Sequence, residues 1–561
     1  MENLFQGQAS LFAGQTERAQ FKSSLDVARR IASIHSLTLD DIATLSPRFW
    51  ELHCDPMMCT DGATTALLTI QYNLVIGTIL GRVGPREDLL GLLNDLLEYK
   101  ITGQFCLTEV DHGLDAANIE TTATALPDNL GFILHTPHLG AAKYMPPTIP
   151  SGISCVAVVM ARLISGSVDC GVKPFLVPIN DGKNMCSGVT ARLLPQRGGP
   201  SPILHAITSF DQVFLPRGAL LDSDISLTES GDSSSRRLDF LMSIWRVAVG
   251  SLALSGLAIP VLAKSAYTVA LYSRRRLVAS GAKTVPIIQF KTQQMPILTA
   301  FAQSFVLAEF YKSATRVFTD DDVDFRVRHG IAAAMKVVAM RHTQDATLAL
   351  SERCSAQGLF NYNQISKYHV EMRGIAIAEG DLLGILIRLA VELTLGRYAL
   401  PTSSHPTSPL TRHEQGCLAA CCEVLTTVLD HRSEAFSRQI LPRCQPLVEA
   451  IGMRFAYDAA VDAGLDKTIT DLYLATCTRR DEVWYTENMG LTQKDIFDAE
   501  ERALKCVLPM LDDWMECSGV KGYVDAPISS DERWRSFVAG LPVFLPAAHL
   551  DKPVGQERSR L

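Results

Sequence analysis

The sequence predicts a mainly helical α+β fold in which a β domain interrupts helical regions. Three observations carry this. Apolar residues recur at helical spacing through the first hundred residues and again from Leu238 to about Leu400. Short β-rich runs punctuated by Pro and Gly fill the stretch from about Gly103 to Leu221. A segment of low helical propensity, Pro401-Thr402-Ser403-Ser404-His405-Pro406-Thr407-Ser408-Pro409, then sets off a last helical region. The implied divisions are 1–102 (helical), 103–221 (β), 238–400 (helical bundle) and 410–561 (C-terminal helical).

In chain order, Phe21, Leu25, Ala28, Ile31 and Ile34 mark the buried stripe of a first helix, and Pro47 and Pro56 punctuate the chain beyond it. Asp61-Gly62 precedes an apolar run through Leu67, Leu68, Leu74, Ile76 and Leu80, which suits a buried helix. Cys155 to Met160 and Phe175-Leu176-Val177 read as strands, and Asp222 to Ser235 as a polar loop. Val247 to Ala263 carries no charge, but its 17 residues include Gly250, Gly256 and Pro260. A membrane span needs about 20 predominantly apolar residues, so the run reads as a helix inside the bundle. Leu298, Phe301, Ala302, Phe305 and Ala308 mark another buried stripe.

The 561 residues suffice for three to five structural units, and 47% hydrophobic content excludes wholesale disorder. With 52 Lys+Arg against 60 Asp+Glu the net charge is −8, which argues against nucleic acid and for a small-molecule partner. The 14 cysteines contain no CxxC pair, and Cys417, Cys421 and Cys422 fall in a helical run, so no metal site is assigned and reduced intracellular thiols are expected.

Chemistry concentrates in a few motifs. Gly103-Gln104-Phe105-Cys106-Leu107-Thr108-Glu109-Val110-Asp111-His112-Gly113 is followed by Ile119-Glu120-Thr121-Thr122-Ala123-Thr124. Phe175-Leu176-Val177-Pro178-Ile179, Val213-Phe214-Leu215-Pro216-Arg217, Tyr272-Ser273 with Arg276, and Phe290-Lys291-Thr292-Gln293-Gln294 come next, before Ile375-Ala376-Ile377-Ala378-Glu379-Gly380-Asp381. In this order the set resembles the acyl-CoA oxidases, relatives of the acyl-CoA dehydrogenases, over residues 100–400.

That resemblance implies an N-terminal helical domain, a β domain, a helical bundle and an additional C-terminal helical domain, with FAD held noncovalently across a homodimer. It places Cys106, Leu107 and Thr108 at the flavin ring, where a hydroxyl can tune electron uptake. It places Arg276, one helical turn after Tyr272, at the pyrophosphate of the neighbouring subunit's FAD, which suits guanidinium geometry. Gln293, Gly358 and Asp381 join the implied cofactor contacts. Glu379 falls on the catalytic base, and its apolar neighbours Ile377, Ala378 and Leu382 favour a raised pKa. In the family the backbone N–H of this Glu, with a flavin ribityl hydroxyl, binds the thioester carbonyl. The bland counterparts are an ordinary strand hydroxyl for Thr108, a solvated charge run for Arg274-Arg275-Arg276, and a helix N-terminal carboxylate for Glu379.

Departures from the pattern are specific. The family's Gly-Gly-x-Gly stretch is Ala356-Gln357-Gly358-Leu359-Phe360 here, and Pro147 stands where oxidases have a glycine beside the flavin, in space associated with oxygen access. The expected activity is α,β-desaturation of an acyl-CoA or related thioester, with molecular oxygen as acceptor. A dehydrogenase with a protein acceptor, a desaturase of a specialised metabolite, and a non-catalytic interaction protein on the same scaffold are the alternatives. Ser559-Arg560-Leu561 resembles the C-terminal peroxisomal address Ser-Lys-Leu, so the expected compartment is the peroxisome, or the cytoplasm if that signal is not read. Neither a membrane span nor a nucleic-acid partner is expected.

Overall fold

The structure is a computed structural model that describes residues 17–544 apart from 85, 128–129, 196, 199–202, 223–238, 429 and 431–432. Most of the Asp222 to Ser235 segment and the Ser559-Arg560-Leu561 terminus lie outside the described residues.

The first helix, Glu17–His35, buries Phe21, Leu25, Ala28 and Ile31, while Ile34 in its last turn is left about half exposed. Asp61 caps the helix Gly62–Thr69 by accepting from the Ala63 N–H. The expected single helix over this apolar run departs from α geometry in its middle: Ile70–Ile76 is π-helical, and α geometry resumes at Gly77–Val83. Such π insertions are rare and gather at functional sites.

Among the described residues the β domain holds nine strands: β1 (Thr102–Cys106), β2 (Thr122–Ala125), β3 (Gly131–His135), β4 (Lys143–Tyr144), β5 (Cys155–Ser165), β6 (Val168–Asn180), β7 (Val189–Leu193), β8 (Ala206–Phe210) and β9 (Val213–Pro216). In the larger sheet β1 and β2 both run parallel to β5 along one of its edges, β6 pairs antiparallel with the other edge, and β3 and β9 extend the sheet beyond β2. A second sheet runs β4-β8-β7. Strand alternation explains why Cys155 to Met160 is apolar without a break. Ala157, Val159 and Ala161 enter the β-domain core, whereas Val158 and Met160 enter the helical core, and all five are fully buried. Burying a side chain the size of Val or Met contributes roughly 1.5–3 kcal/mol, so β5 stabilises both cores.

The long apolar run divides into helices Trp245–Ser255 and Ala258–Arg275. The helical stretches 62–83 and 245–275 are long and apolar enough to cross a membrane by composition, and both lie mostly inside the fold. Around them pack helices Lys291–Phe318, Phe325–Glu352, Ile365–Ile377 and Leu382–Thr394. The expected all-helical texture of this region is broken by a hairpin, Leu277–Ser280 with Lys283–Pro286, whose tight turn places Gly281 at φ 61°. The Pro401–Pro409 segment leads into helix Pro409–Thr426, and all 14 cysteines are unpaired thiols.

Candidate active site

Glu379 sits between two helices. Ile365–Ile377 ends at Ala378, and Asp381 caps Leu382–Thr394 by accepting from the N–H groups of Leu383 and Gly384 at 3.0 and 3.1 Å. Asp381 therefore has a structural task as an N-cap. Glu379 at φ 51° and Gly380 at φ 101° form a left-handed turn, a conformation unfavourable for a glutamate unless its surroundings enforce it.

Those surroundings come from three other elements. Lys336, in the middle of Phe325–Glu352 and fully buried, donates to the carbonyls of Ala378 (2.5 Å), Gly380 (2.5 Å) and Glu379 (3.3 Å). Ser251 Oγ donates to the Glu379 carbonyl. The carboxyl itself lies over Gly250, where a Cβ would overlap it and would also approach Asn73 Nδ2 to 2.7 Å. Asn73, on the π-helical segment, donates to Glu379 Oε2 at 2.8 Å and to the Arg246 carbonyl at 2.8 Å. The residue as a whole is partly exposed, yet its carboxyl is enclosed. Burial pushes the carboxyl up to about 8, opposed by the Lys336 charge and the Asn73 hydrogen bond. Burial also brings the Lys336 ammonium down to about 8, against the opposing effect of Glu379 and Asp381.

The π-helical segment also ties this turn to the β domain. Gln71 accepts from the Gly103 N–H at 2.7 Å and donates to the carbonyls of Leu96 (2.6 Å) and Ile101 (3.0 Å). Gly103 is needed where β1 crosses the segment, since a Cβ there would lie 2.9 Å from Val75 Cγ1. On the far side, the loop after β1 brings Leu114 against Gly384, just beyond the Glu379 turn. Arg197 of the β domain pairs with Glu371 of helix Ile365–Ile377 at 3.0 Å.

Along β1, Cys106 faces the β-domain core, where burial pushes its thiol up to about 12, while Leu107 lies on the helical side. Thr108 Oγ1 donates to the Tyr144 carbonyl at 3.1 Å, and Pro147 is buried three residues beyond Tyr144. The neighbouring Glu109 explains much of the motif. It pairs with Lys143 at 2.9 Å, both side chains fully buried, and accepts from the N–H groups of Glu120 (2.7 Å) and Thr121 (2.9 Å). Burial disfavours its charge, but Lys143 and those donors outweigh burial and hold the carboxyl below the usual range.

The remaining expected residues gather elsewhere. Arg276 is not on the helical face of Tyr272, because the helix ends at Arg275 and Arg276 is an extended C-cap whose N–H bonds the Tyr272 carbonyl. Arg274 pairs with Asp512 (2.5 Å) and Arg275 with Asp531 (2.8 Å), whereas Arg276 has no carboxylate partner among the described residues. It lines a cleft of about 530 Å³ with Tyr272, Cys354, Gln357, Ile528 and Trp534. Gln293 sits nearby, its amide 3.5 Å from the Arg353 carbonyl. Gly358 is buried against the Ser351 backbone, where a Cβ would overlap the carbonyl, so its own helix contact accounts for the glycine. Among the described residues no hydrogen bond joins the Glu379, Thr108 and Arg276 groups to one another.

Asn73, Gly250, Ser251 and Lys336 are not among the residues that the sequence motifs single out. Their signal is local: Lys336 stands between Ala332-Ala333-Ala334-Met335 and Val337-Val338-Ala339-Met340, and Asn73 before Leu74-Val75-Ile76, in short apolar stretches where an unpartnered polar group is costly.

No family model matches the chain. It is 27% identical over 351 residues to human peroxisomal acyl-coenzyme A oxidase 3, covering 58% of this chain and 50% of that one. The chain spans about half the length of the curated relatives it matches. The crystal structure of acyl-CoA oxidase 1 from Yarrowia lipolytica superposes with a TM-score of 0.76 at 16% identity, over 99% of this chain and 98% of that one. The chain has the acyl-CoA oxidase fold. Acyl-CoA oxidase-1 of Caenorhabditis elegans, complexed with FAD and ATP, is similar with a TM-score of 0.69 at 15% identity, over 95% of this chain and 94% of that one. The sequence matches and the superposed fold thus both show a likeness to acyl-CoA oxidases.

Proposed function

We propose that the chain is an FAD-dependent enzyme that desaturates an acyl thioester between its α and β carbons, with Glu379 as the catalytic base. The observation that carries the reading is the Glu379 turn: an enclosed carboxyl with a raised pKa, on a strained backbone held by a buried lysine, at the junction of bundle and β domain. A base poised near the working pH can take the proton and hold it. The Glu379 carboxylate would remove the α-proton while its backbone N–H donates to the thioester carbonyl, making that proton more acidic. Asn73 would donate to the carboxylate throughout.

The residues present fit FAD at both ends. The unpaired Arg276 guanidinium beside the cleft suits phosphate oxygens, and Thr108 stands two residues beyond the end of β1, next to Leu107, which packs against the helical core. Bound FAD would accept the β-hydrogen as hydride. A homodimer in which Arg276 would act on the neighbouring subunit's FAD, oxygen as acceptor and a peroxisomal address complete the proposal. Pro147, in the space associated with oxygen access, makes the acceptor a separate question, decided by hydrogen peroxide yield.

The test is the absorbance spectrum of purified protein, followed by addition of saturated acyl-CoA thioesters of increasing chain length. A yellow protein that releases FAD and is bleached by one of them supports the reading. Protein that stays colourless after FAD addition overturns it.

A further inference from the structure

We infer that Lys336 is a positioning residue for the proposed reaction: it orients the Glu379 backbone N–H and supplies the positive charge that opposes protonation of the Glu379 carboxyl. The inference rests on the desaturation reading for its chemistry and on the geometry of one turn for its content.

Lys336 is fully buried and makes no ion pair within hydrogen-bond reach among the described residues; its donors go to three consecutive carbonyls of the turn that presents the base. A buried ammonium is costly unless its surroundings compensate it, so its persistence in the apolar stretch from Ile331 to Met340 needs a reason. The peptide plane supplies one. In a trans peptide the C=O and the following N–H point in opposite directions. Fixing the Ala378 carbonyl on Lys336 therefore aims the Glu379 N–H away from the helix Phe325–Glu352. Charge on the carbonyl side also polarises that peptide and strengthens its N–H as a donor. One side chain thus sets both the donor for a thioester carbonyl and the backbone that carries the carboxylate.

The charged surroundings are few. The turn contributes Glu379 and Asp381; helix Trp245–Ser255 contributes Gly250, Ser251 and the buried Arg246, whose side chain donates to the Ile42 carbonyl; and the π-helical segment contributes the neutral Asn73. Lys336 is the charge that acts on Glu379.

The experiment compares wild type, Lys336→Gln and Lys336→Met as FAD-loaded proteins. Flavin reduction is followed against pH with the saturated acyl-CoA that bleaches wild type. Gln keeps a donor without the charge, so its pH midpoint should rise with the plateau rate largely retained, giving about a ten-fold loss at neutral pH that high pH restores. Met removes both, so the midpoint should rise and the plateau should also fall. A second readout needs no turnover: the pH at which thermal stability stops falling, set by Glu379, should move up in both variants. FAD-loaded variants with wild-type profiles in both readouts, or failure of both to fold, would assign Lys336 to stability alone and overturn the inference. If no acyl-CoA bleaches wild type, the desaturation reading fails by itself, and the stability readout still decides whether Lys336 acts on Glu379.

Discussion

Protonation of Glu379 gives the sharpest prediction. With its carboxyl pushed up to about 8, about a tenth of the protein is ionised at pH 7 and about nine tenths at pH 9. If the base is this carboxylate, flavin reduction by substrate should rise about ten-fold across that interval. Glu379→Gln should retain FAD and lose at least about 10²-fold of the reduction rate at every pH. Stability supplies an independent check. The unfolded chain releases this proton near the ordinary 4.5, whereas the native carboxyl keeps it until about 8. Between those values the native state binds more protons, so stability falls as pH rises. Fully expressed, the difference is about 5 kcal/mol, and the partial exposure of the residue reduces that to a few kcal/mol. Lys336 acts in the adjoining window. Its ammonium, ordinarily 10.5, is brought down to about 8, so its penalty is complete below 8 and relieved as pH rises from there to about 10.5. The pair together should leave a stability minimum near pH 8. Urea unfolding from about pH 5 to 10 measures both limbs, and Glu379→Gln should flatten the acidic one. A reduction midpoint near 5, or a Gln variant with the wild-type slope of stability against pH, would refute the reasoning.

Other outcomes are tied to individual contacts. Gly250→Ala places a methyl group where the carboxyl lies, so it should retain FAD while losing about ten-fold or more of flavin reduction, with about 1–3 kcal/mol of overpacking cost by thermal melt. Arg276→Ala should weaken FAD retention by about ten-fold or more in a fluorescence titration, whereas Arg274→Ala, which breaks only the Asp512 pair, should not. Lys143→Met leaves Glu109 buried without its cation, and chemical denaturation should show a loss of about 3–5 kcal/mol. Deleting Leu561 should move a tagged protein from peroxisomes to cytosol under the microscope, and unchanged puncta would exclude the terminus as the address.

The β domain is legible because its strands carry their own punctuation, and the two-sided burial of β5 shows as an unbroken apolar run. Glu379 is legible through its neighbours on either side. The π-helical segment is not, because seven residues at a slightly longer period produce the same run of apolar letters as an α-helix. The hairpin after Arg276 carries a turn signal in Ser280-Gly281, but its strands are only four residues each and lie between two long helices, so the surrounding helical pattern hides it. The run Arg274-Arg275-Arg276 looks uniform, yet the fold gives Arg274 and Arg275 carboxylate partners and leaves Arg276, which shares the cleft with Arg275, without one among the described residues. Asn73, Gly250 and Lys336 stand far apart in the chain, and nothing in the sequence links them until the fold brings them together around one carboxyl.

β5 has a bearing on how the chain reaches this state. A strand repeats every two residues, so sliding it by one position against β1 would send Val158 and Met160 into the sheet's other side and expel Ala157 and Val159 toward the helices. Neither compartment tolerates the exchange of volumes. On the other edge of β5, the register shifts in its pairing with β6, between Cys155 and Val156 and between Arg162 and Ile164, bracket that pairing like stops at the ends of a slide. The β domain and the helices that flank it should consequently solidify in one kinetic event, and an excised 103–221 fragment should remain collapsed without fixed side-chain packing, having lost the surface against which half of its central strand is set.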